Sequence, residues 1–379
     1  MANVIAQEHV GAAEDTGANV VGRTPWQLFW SRFIKDRVAI AGAVLIVELV
    51  IIGATAPLIA KALGHGANDI FSTRTNEFGL PLGPDTHFWF GNDKVGRDLF
   101  IRTIYGARTS LIVAFVATGI SVFIGVVLGT LAGFFGGWVD TLISRTIDIV
   151  MSLPLLLFAI GIAAACSVTA TGCLGGHVGV PGAAGVIAWV IAAVFLAAGL
   201  YQTRRHGVGA GIGWFVGAAL AALLHARIPL PSIEPGMPLV IFIIALFNWF
   251  YIARIVRGQT LSFREREFIE AARAMGAGSG RIMFREILPN LAAPIIVYST
   301  LIIPANILFE AALSFLGVGI PQTTPSWGRM LSDAASSQIF TYAWWMMLFP
   351  GTFLLLTTLA FNLVGDGLRD ALDPRAGKR

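Results

Sequence analysis

Long apolar runs separated by polar intervals set the pattern of this chain. They lie near 38–60, 108–134, 142–165, 184–201, 208–226, 237–256, 291–316 and 341–364. Most approach or exceed the roughly 20 helical residues needed to cross a hydrocarbon layer about 30 Å thick. The runs are continuous rather than alternating, which fits spans that satisfy their own backbone hydrogen bonds and not the two-residue period of a membrane barrel. The pattern predicts an all-α polytopic membrane protein with eight candidate spans. The first run follows a polar tail, 1–37, and is too long for a signal-peptide core, so it is expected to remain as an anchor.

One polar interval stands apart. Residues 263–290, FREREFIEAARAMGAGSGRIMFREILPN, place a dense run of Arg and Glu between two apolar segments. Each such charge at bilayer depth costs roughly 2.5–3.5 kcal/mol, so this segment is predicted to stand in water and meet a soluble partner. Ser262 and Glu265 have capping-box spacing, which starts a helix there. It carries Phe268, Ile269, Ala271, Ala272 and Met275, with an apolar face at 268, 271, 272 and 275, and ends at Gly276. Ser279 is then expected to cap a second short helix that Pro289 stops. On pattern alone, an amphipathic helix lying at a membrane surface also fits.

Composition supports the membrane reading: 56% of the 379 residues are hydrophobic and 13% charged, where soluble domains carry about a quarter charged. With both termini inside, 18 of the 26 Lys and Arg residues fall on the cytosolic side and 8 outside, the expected bias. The loop 61–107 holds most of the outside charge and, being long, is less bound by that rule. Cys166 and Cys173 share an outside loop, where an oxidising compartment permits a disulfide; two unpaired thiols are the plainer reading, because spacing alone does not bring their Cα atoms within bonding reach. None of the four lysines stands in a Gly-Lys-Ser/Thr setting, so the chain has no phosphate-binding P-loop. The six histidines lack paired ligand spacing and no nucleophile–base set stands out, so no catalytic group, metal or cofactor is expected.

Ionisable and polar groups within apolar runs are site candidates by default. Glu48 lies in the first run without a local basic partner, Asp148 follows Arg145 by three residues, and Glu310 follows Asn306 by four. Asn306 and Glu310, with Asn248 as a weaker third, either line a translocation path or join helices by hydrogen bonds. Trp344, Trp345, Met346 and Met347 read as an interfacial aromatic belt. An ion-coupled secondary transporter is the alternative class; three scattered acids and no visible repeat speak against it.

Glu270-Ala271-Ala272, Gly276 and Ile287-Leu288-Pro289 resemble, without insertion or deletion, the EAA loop of ATP-binding-cassette importer permeases. Glu310-Ala311-Ala312 repeats the three letters inside an apolar run but has Leu316 where the glycine belongs. The likeness extends to 26–46, 91–98, 105–111, 133–140, 313–319, 325–328 and 365–375, and narrows to the second permease subunit of dipeptide and oligopeptide importers. Taken alone, Gly96-Arg97-Asp98 is an ordinary surface turn.

The resemblance implies a type I importer membrane domain with a six-span core. Its coupling contact with the ATPase would be made by Glu270, Ala271, Ala272, Arg273 and the turn at Gly276. It implies as partners a second permease, two cytosolic ATP-binding subunits and an extracytoplasmic substrate-binding protein, in the cytoplasmic membrane. Peptides are the expected cargo; nickel and glutathione use similar permeases. The organisation that follows is a tail 1–37, a first span and external loop 38–107, core spans 108–165, an insertion 166–236, core spans 237–366 with the coupling loop 262–290, and a tail 367–379. The insertion is either two extra spans, which leave all later segments on their expected side with Arg204 and Arg205 inside, or a folded outside loop.

Overall fold

The computed structural model describes residues 25–77, 79–168, 236–336 and 341–372. Among them, five helices are long and apolar enough to span a membrane, or six if a bent pair of shorter helices counts as one span. A short helix α1 (Pro25–Phe33) leads to α2 (Arg37–Leu63), whose first amides are capped by Asp36 through Val38 at 2.9 Å and Ala39 at 3.1 Å. Helix α3 (Leu99–Phe135) starts nine residues before the apolar run that predicts it, because Asp98 caps it. Its 37 residues reach about 55 Å at 1.5 Å each, well beyond the hydrocarbon layer.

The predicted third run is not one straight helix. It forms α4 (Gly137–Ser152) and α5 (Leu155–Val168), bent by 83°. Pro154 is the cause: it disfavours a helical conformation at the residue before it, and Leu153 is extended at φ −82°, ψ 136°. The insertion 166–236, with its two candidate spans, Arg204 and Arg205 and both cysteine side chains, lies outside the described residues apart from the end of α5 and Gly236.

Helix α6 (Met237–Arg264) continues straight through Ser262, so the expected capping box does not form. Packing against α3 overrides the local signal: Thr260 is fully buried and Arg264 donates to the Phe134 carbonyl at 3.3 Å. A separate helix α7 (Glu267–Ala274) follows. The next run, α8 (Ser279–Phe315), is continuous, so Pro289 does not stop it and Ser279 is its first residue rather than its cap. The wide π turn Ile282–Ile287 absorbs the proline, with the Leu288 amide reaching five residues back to Met283. Helices α9 (Trp327–Ala335) and α10 (Trp345–Leu372) complete the described fold.

The closest seam runs between α3 and α6. Gly125, Gly129 and Gly133 are spaced four apart on one face, and a Cβ at each would stand 2.6, 2.6 and 2.8 Å from the carbonyl oxygens of Trp249, Ala253 and Arg257. Glycine lets the two backbones touch, which is how helices associate where lipid removes the hydrophobic drive. Helix α2 lies on α10 and α3 through Ala39, Gly42, Leu49, Gly53, Ala56 and Ala60. The expected aromatic belt divides: Trp344 and Met347 are exposed, but Met346 is buried and the Trp345 indole donates to the Asn92 carbonyl at 3.2 Å.

Candidate functional site

Helix α7 stands at the end of α6, two residues beyond it. Arg266 takes an extended conformation between them, without a side-chain cap. The far end closes as a Schellman turn: Gly276, at φ +82°, donates to Arg273, and Ala277 donates to Ala272. A residue with a Cβ at Gly276 would hold the left-handed conformation at a cost of about 1–2 kcal/mol.

The apolar arc of α7 is wider than the chain covers. Ile269 and Ala272 turn inward and join Phe134, Ile252, Val256, Ile282, Ile287 and Leu291. Phe268, at 41% exposed, and Met275, at 81%, turn outward together with Ala271, Glu270 and Arg273. The face expected at 268, 271, 272 and 275 is therefore split, with Ala272 rooted in the bundle and Ala271 exposed. At 100° per residue, 269 and 272 bracket one side of the arc and 271 and 275 the other. The Arg273 guanidinium lies 6.0 Å from the Phe134 ring, at the edge of cation–π range. The result is a short helix with an anchored inner side and a free outer side that is apolar at its centre and acidic at Glu270.

The other candidates are enclosed. Asn248 donates to Asn306 at 2.9 Å, and Asn306 donates to Thr118 at 2.7 Å, which ties α6, α8 and α3 together. Glu310 is fully buried and accepts from Ser110 and Ser314, each at 2.8 Å. The second Glu-Ala-Ala triplet thus sits in the middle of the bundle, where nothing soluble reaches it. Asp148 pairs with Arg254 at 3.3 Å, closer than the expected neighbour Arg145 at 3.9 Å. Glu48 is exposed on the outer face of α2, among Val44, Val47 and Ile51.

The opposite end holds a buried charge cluster at a stretch that carries the family resemblance but, taken alone, reads as a surface turn. Asp93, Arg97, Asp98, Arg102 and Asp333 are all buried. Arg97 Nε contacts Asp93 at 2.6 Å and Arg102 Nε lies 3.6 Å from it; Asp333 gathers Lys94 at 3.2 Å, Arg329 at 3.7 Å and Arg97 at 3.8 Å. The Gln322 carbonyl accepts from both Arg97 and Arg102. Asp98 receives the Phe100 amide at 2.8 Å and the Ile101 amide at 3.3 Å; burial pushes its carboxyl up against these bonds. The only sequence signal is the density of charge at 93–102, because its partner Asp333 is some 240 residues away.

With this geometry in place, the comparisons assign the class. Residues 125–378 match the binding-protein-dependent transport system inner membrane component family, and residues 24–74 match the N-terminal transmembrane domain of oligopeptide transport permease C. The chain belongs to this family of membrane-spanning ABC importer permeases. It is similar to a dipeptide transport system permease of Alkalihalophilus pseudofirmus, 36% identical over 93% of this chain and 90% of that relative. A glutathione transport permease of Pectobacterium atrosepticum is 32% identical over 93% of this chain and 92% of its own length, and an oligopeptide transport permease of Bacillus subtilis is 31% identical over 93% and 90%. This membership decides against the ion-coupled alternative.

Proposed function

We propose that the chain is one of two permease subunits of an ATP-driven importer of di- and oligopeptides, and that α7 is where a cytosolic ATPase subunit docks. The observation that carries this reading is the division of α7: Ile269 and Ala272 root it in the bundle while Phe268, Glu270, Ala271 and Met275 are exposed. An apolar helical face held rigidly from behind fits a groove on another protein, and Glu270 supplies the polar contact at its rim. Gly276 sets the turn, and Arg273 lies along the flank. Nucleotide-driven closure of the ATPases would push α7, and the spans would alternate access to the two sides.

In this reading α7 and both termini are cytosolic, the chain lies in the cytoplasmic membrane, and the buried charge cluster faces the substrate-binding protein outside. Asn248, Asn306 and Glu310 act as polar joints that set the wall of the path between the two permeases. The peptide cargo is supported by the dipeptide and oligopeptide permeases among the relatives.

The test uses Glu270→Lys and Ala271→Trp in the tagged chain, with capture of ATPase subunits and ATP-dependent uptake of labelled dialanine as readouts. Uptake is expected to fall by more than about tenfold, as for loss of a contact worth over 1.4 kcal/mol, with the unfolding temperature unchanged. Unaltered capture and uptake in both variants would remove α7 as the docking element.

A further inference from the structure

We propose that Asp140 and Arg257 are positioning residues that make the bent pair α4/α5 follow α6, and so carry displacement of α7 into the span next to it. This rests on the reading of α7 as the ATPase contact. Helix α7 is joined to α6 by two residues, Glu265 and Arg266, so any push on it reaches α6 first. The last three turns of α6 carry Arg254, Arg257 and Arg264 on one face; Arg257 and Arg264 reach the corner between α3 and α4, and Arg254 reaches farther along α4. Arg264 donates to the Phe134 carbonyl at 3.3 Å, Arg254 to Asp148 at 3.3 Å, and Arg257 grips both oxygens of Asp140, one of them at 2.8 Å.

These contacts are not equivalent. Asp148 and Arg254 are each more than half exposed, where an ion pair holds little. Arg257 and Asp140 are 31% and 21% exposed and meet as a two-pronged fork, which fixes orientation as well as distance. Ser144 adds a hydrogen bond to Asp140 at 3.3 Å from the next turn of α4.

The backbone explains why a clamp is needed. Gly136, at φ +65°, joins α3 to α4, and Gly137, the first residue of α4, has φ +54°. Two successive glycines at positive φ make a joint whose backbone alone does not fix where α4 points, so side-chain contacts must, Ile124 and Leu128 of α3 among them. Asp140, in the first turn of α4, then passes that choice to α6, and Ile147 packing on Trp249, Phe250 and Ala253 supports the same docking.

The experiment uses the complete complex purified through this chain and placed in nanodiscs, with Cys166 and Cys173 replaced by serine and a spin label on Met151→Cys at the exposed end of α4. Labels are read before and after trapping the ATPases with ATP and vanadate. In the parent chain the spectrum is expected to change on trapping. Asp140→Arg and Arg257→Asp, each alone, should shrink that change at least about fivefold, the low end for coupled sites, while the ATPase subunits are still captured. The double reversal should restore it. Arg257→Lys, which keeps the charge and loses the fork, covers the case in which the reversals do not assemble, and it should weaken the response with capture intact.

A full response in any single variant overturns the proposal, as does a double reversal no better than its parents, which would mark the pair as fold support. If the unaltered chain captures no ATPase, the docking reading of α7 fails first and this one falls with it. Failure confined to the variants leaves that reading standing.

Discussion

The two ends of the bundle carry similar charged residues and treat them in opposite ways. At the α7 end, Glu265, Arg266, Glu267, Glu270, Arg273, Arg281 and Arg285 are all exposed, and none forms an ion pair within the described chain. At the other end, Asp93, Arg97, Arg102 and Asp333 are buried and linked to one another. Charge locked to charge inside one chain fixes a joint, here between the start of α3 and the short helix α9. Charge left in water on a helix whose apolar root is buried adds little to folding and remains free to meet another chain. Burial, rather than charge count, separates the part of the molecule that is built from the part that is offered.

The sharpest way to break this contrast is to remove one buried partner. Asp93→Ala would take from Arg97 its closest carboxylate and from Arg102, which is 1% exposed, the carboxylate 3.6 Å from its Nε. Breaking a buried pair from one side typically costs about 3–5 kcal/mol, because the remaining charge keeps its desolvation penalty. Thermal unfolding in detergent should show this as a large fall in midpoint and yield. Glu270→Ala in the same assay should stay within about 0.5 kcal/mol of the parent, as an exposed substitution. Equal losses would erase the distinction between the two ends.

The next comparison sets the α3–α6 seam against the turn that ends α7. Gly129→Ala would put a Cβ 2.6 Å from the Ala253 carbonyl oxygen, a backbone atom that cannot swing aside. Overpacking of this kind costs about 1–3 kcal/mol. Gly276→Ala meets open space, so only its φ of +82° counts, about 1–2 kcal/mol. Stability should therefore fall further at 129. Transport should respond in proportion to stability at 129 and beyond it at 276, where the turn aims the outer face of α7.

How much of this was visible in the sequence follows the range of each interaction. Spans came from apolar runs, and the turn at Gly276 came from one residue whose freedom the C-terminal turn requires. Local signals failed where tertiary contact outweighed them. Ser262 to Glu265 has the letters of a cap, yet α6 runs through Ser262 because Thr260 and Arg264 are held by α3. Pro289 has the look of a stop, yet a π turn carries the helix past it. The split of the α7 face was half legible, since the periodicity marks an apolar arc but not the side that the bundle covers. The buried cluster was least legible: Arg97 and Asp333 are brought together by the fold alone, and Gly96-Arg97-Asp98 viewed by itself is a turn like any other.

Within the buried joint a finer comparison separates core from rim. Asp93 is sealed inside, whereas Asp85, at 39% side-chain exposure, pairs with Arg74 at the edge of the same loop. The Arg74 guanidinium, stacked 4.2 Å above the Phe88 ring, hydrogen-bonds Asp85 and draws its carboxyl down to about 2 from the usual 3.8. A carboxylate lowered on folding adds stability that is complete above its unfolded value and lost as pH falls toward the folded one. Acid titration of stability should therefore show a loss between about pH 4 and pH 2 that Asp85→Asn removes. Solvent screening keeps it small, about 0.2–1 kcal/mol as for exposed pairs. If Asp85→Asn instead costs as much as Asp93→Ala at neutral pH, the rim holds the loop as firmly as the core, and burial is not what ranks these charges.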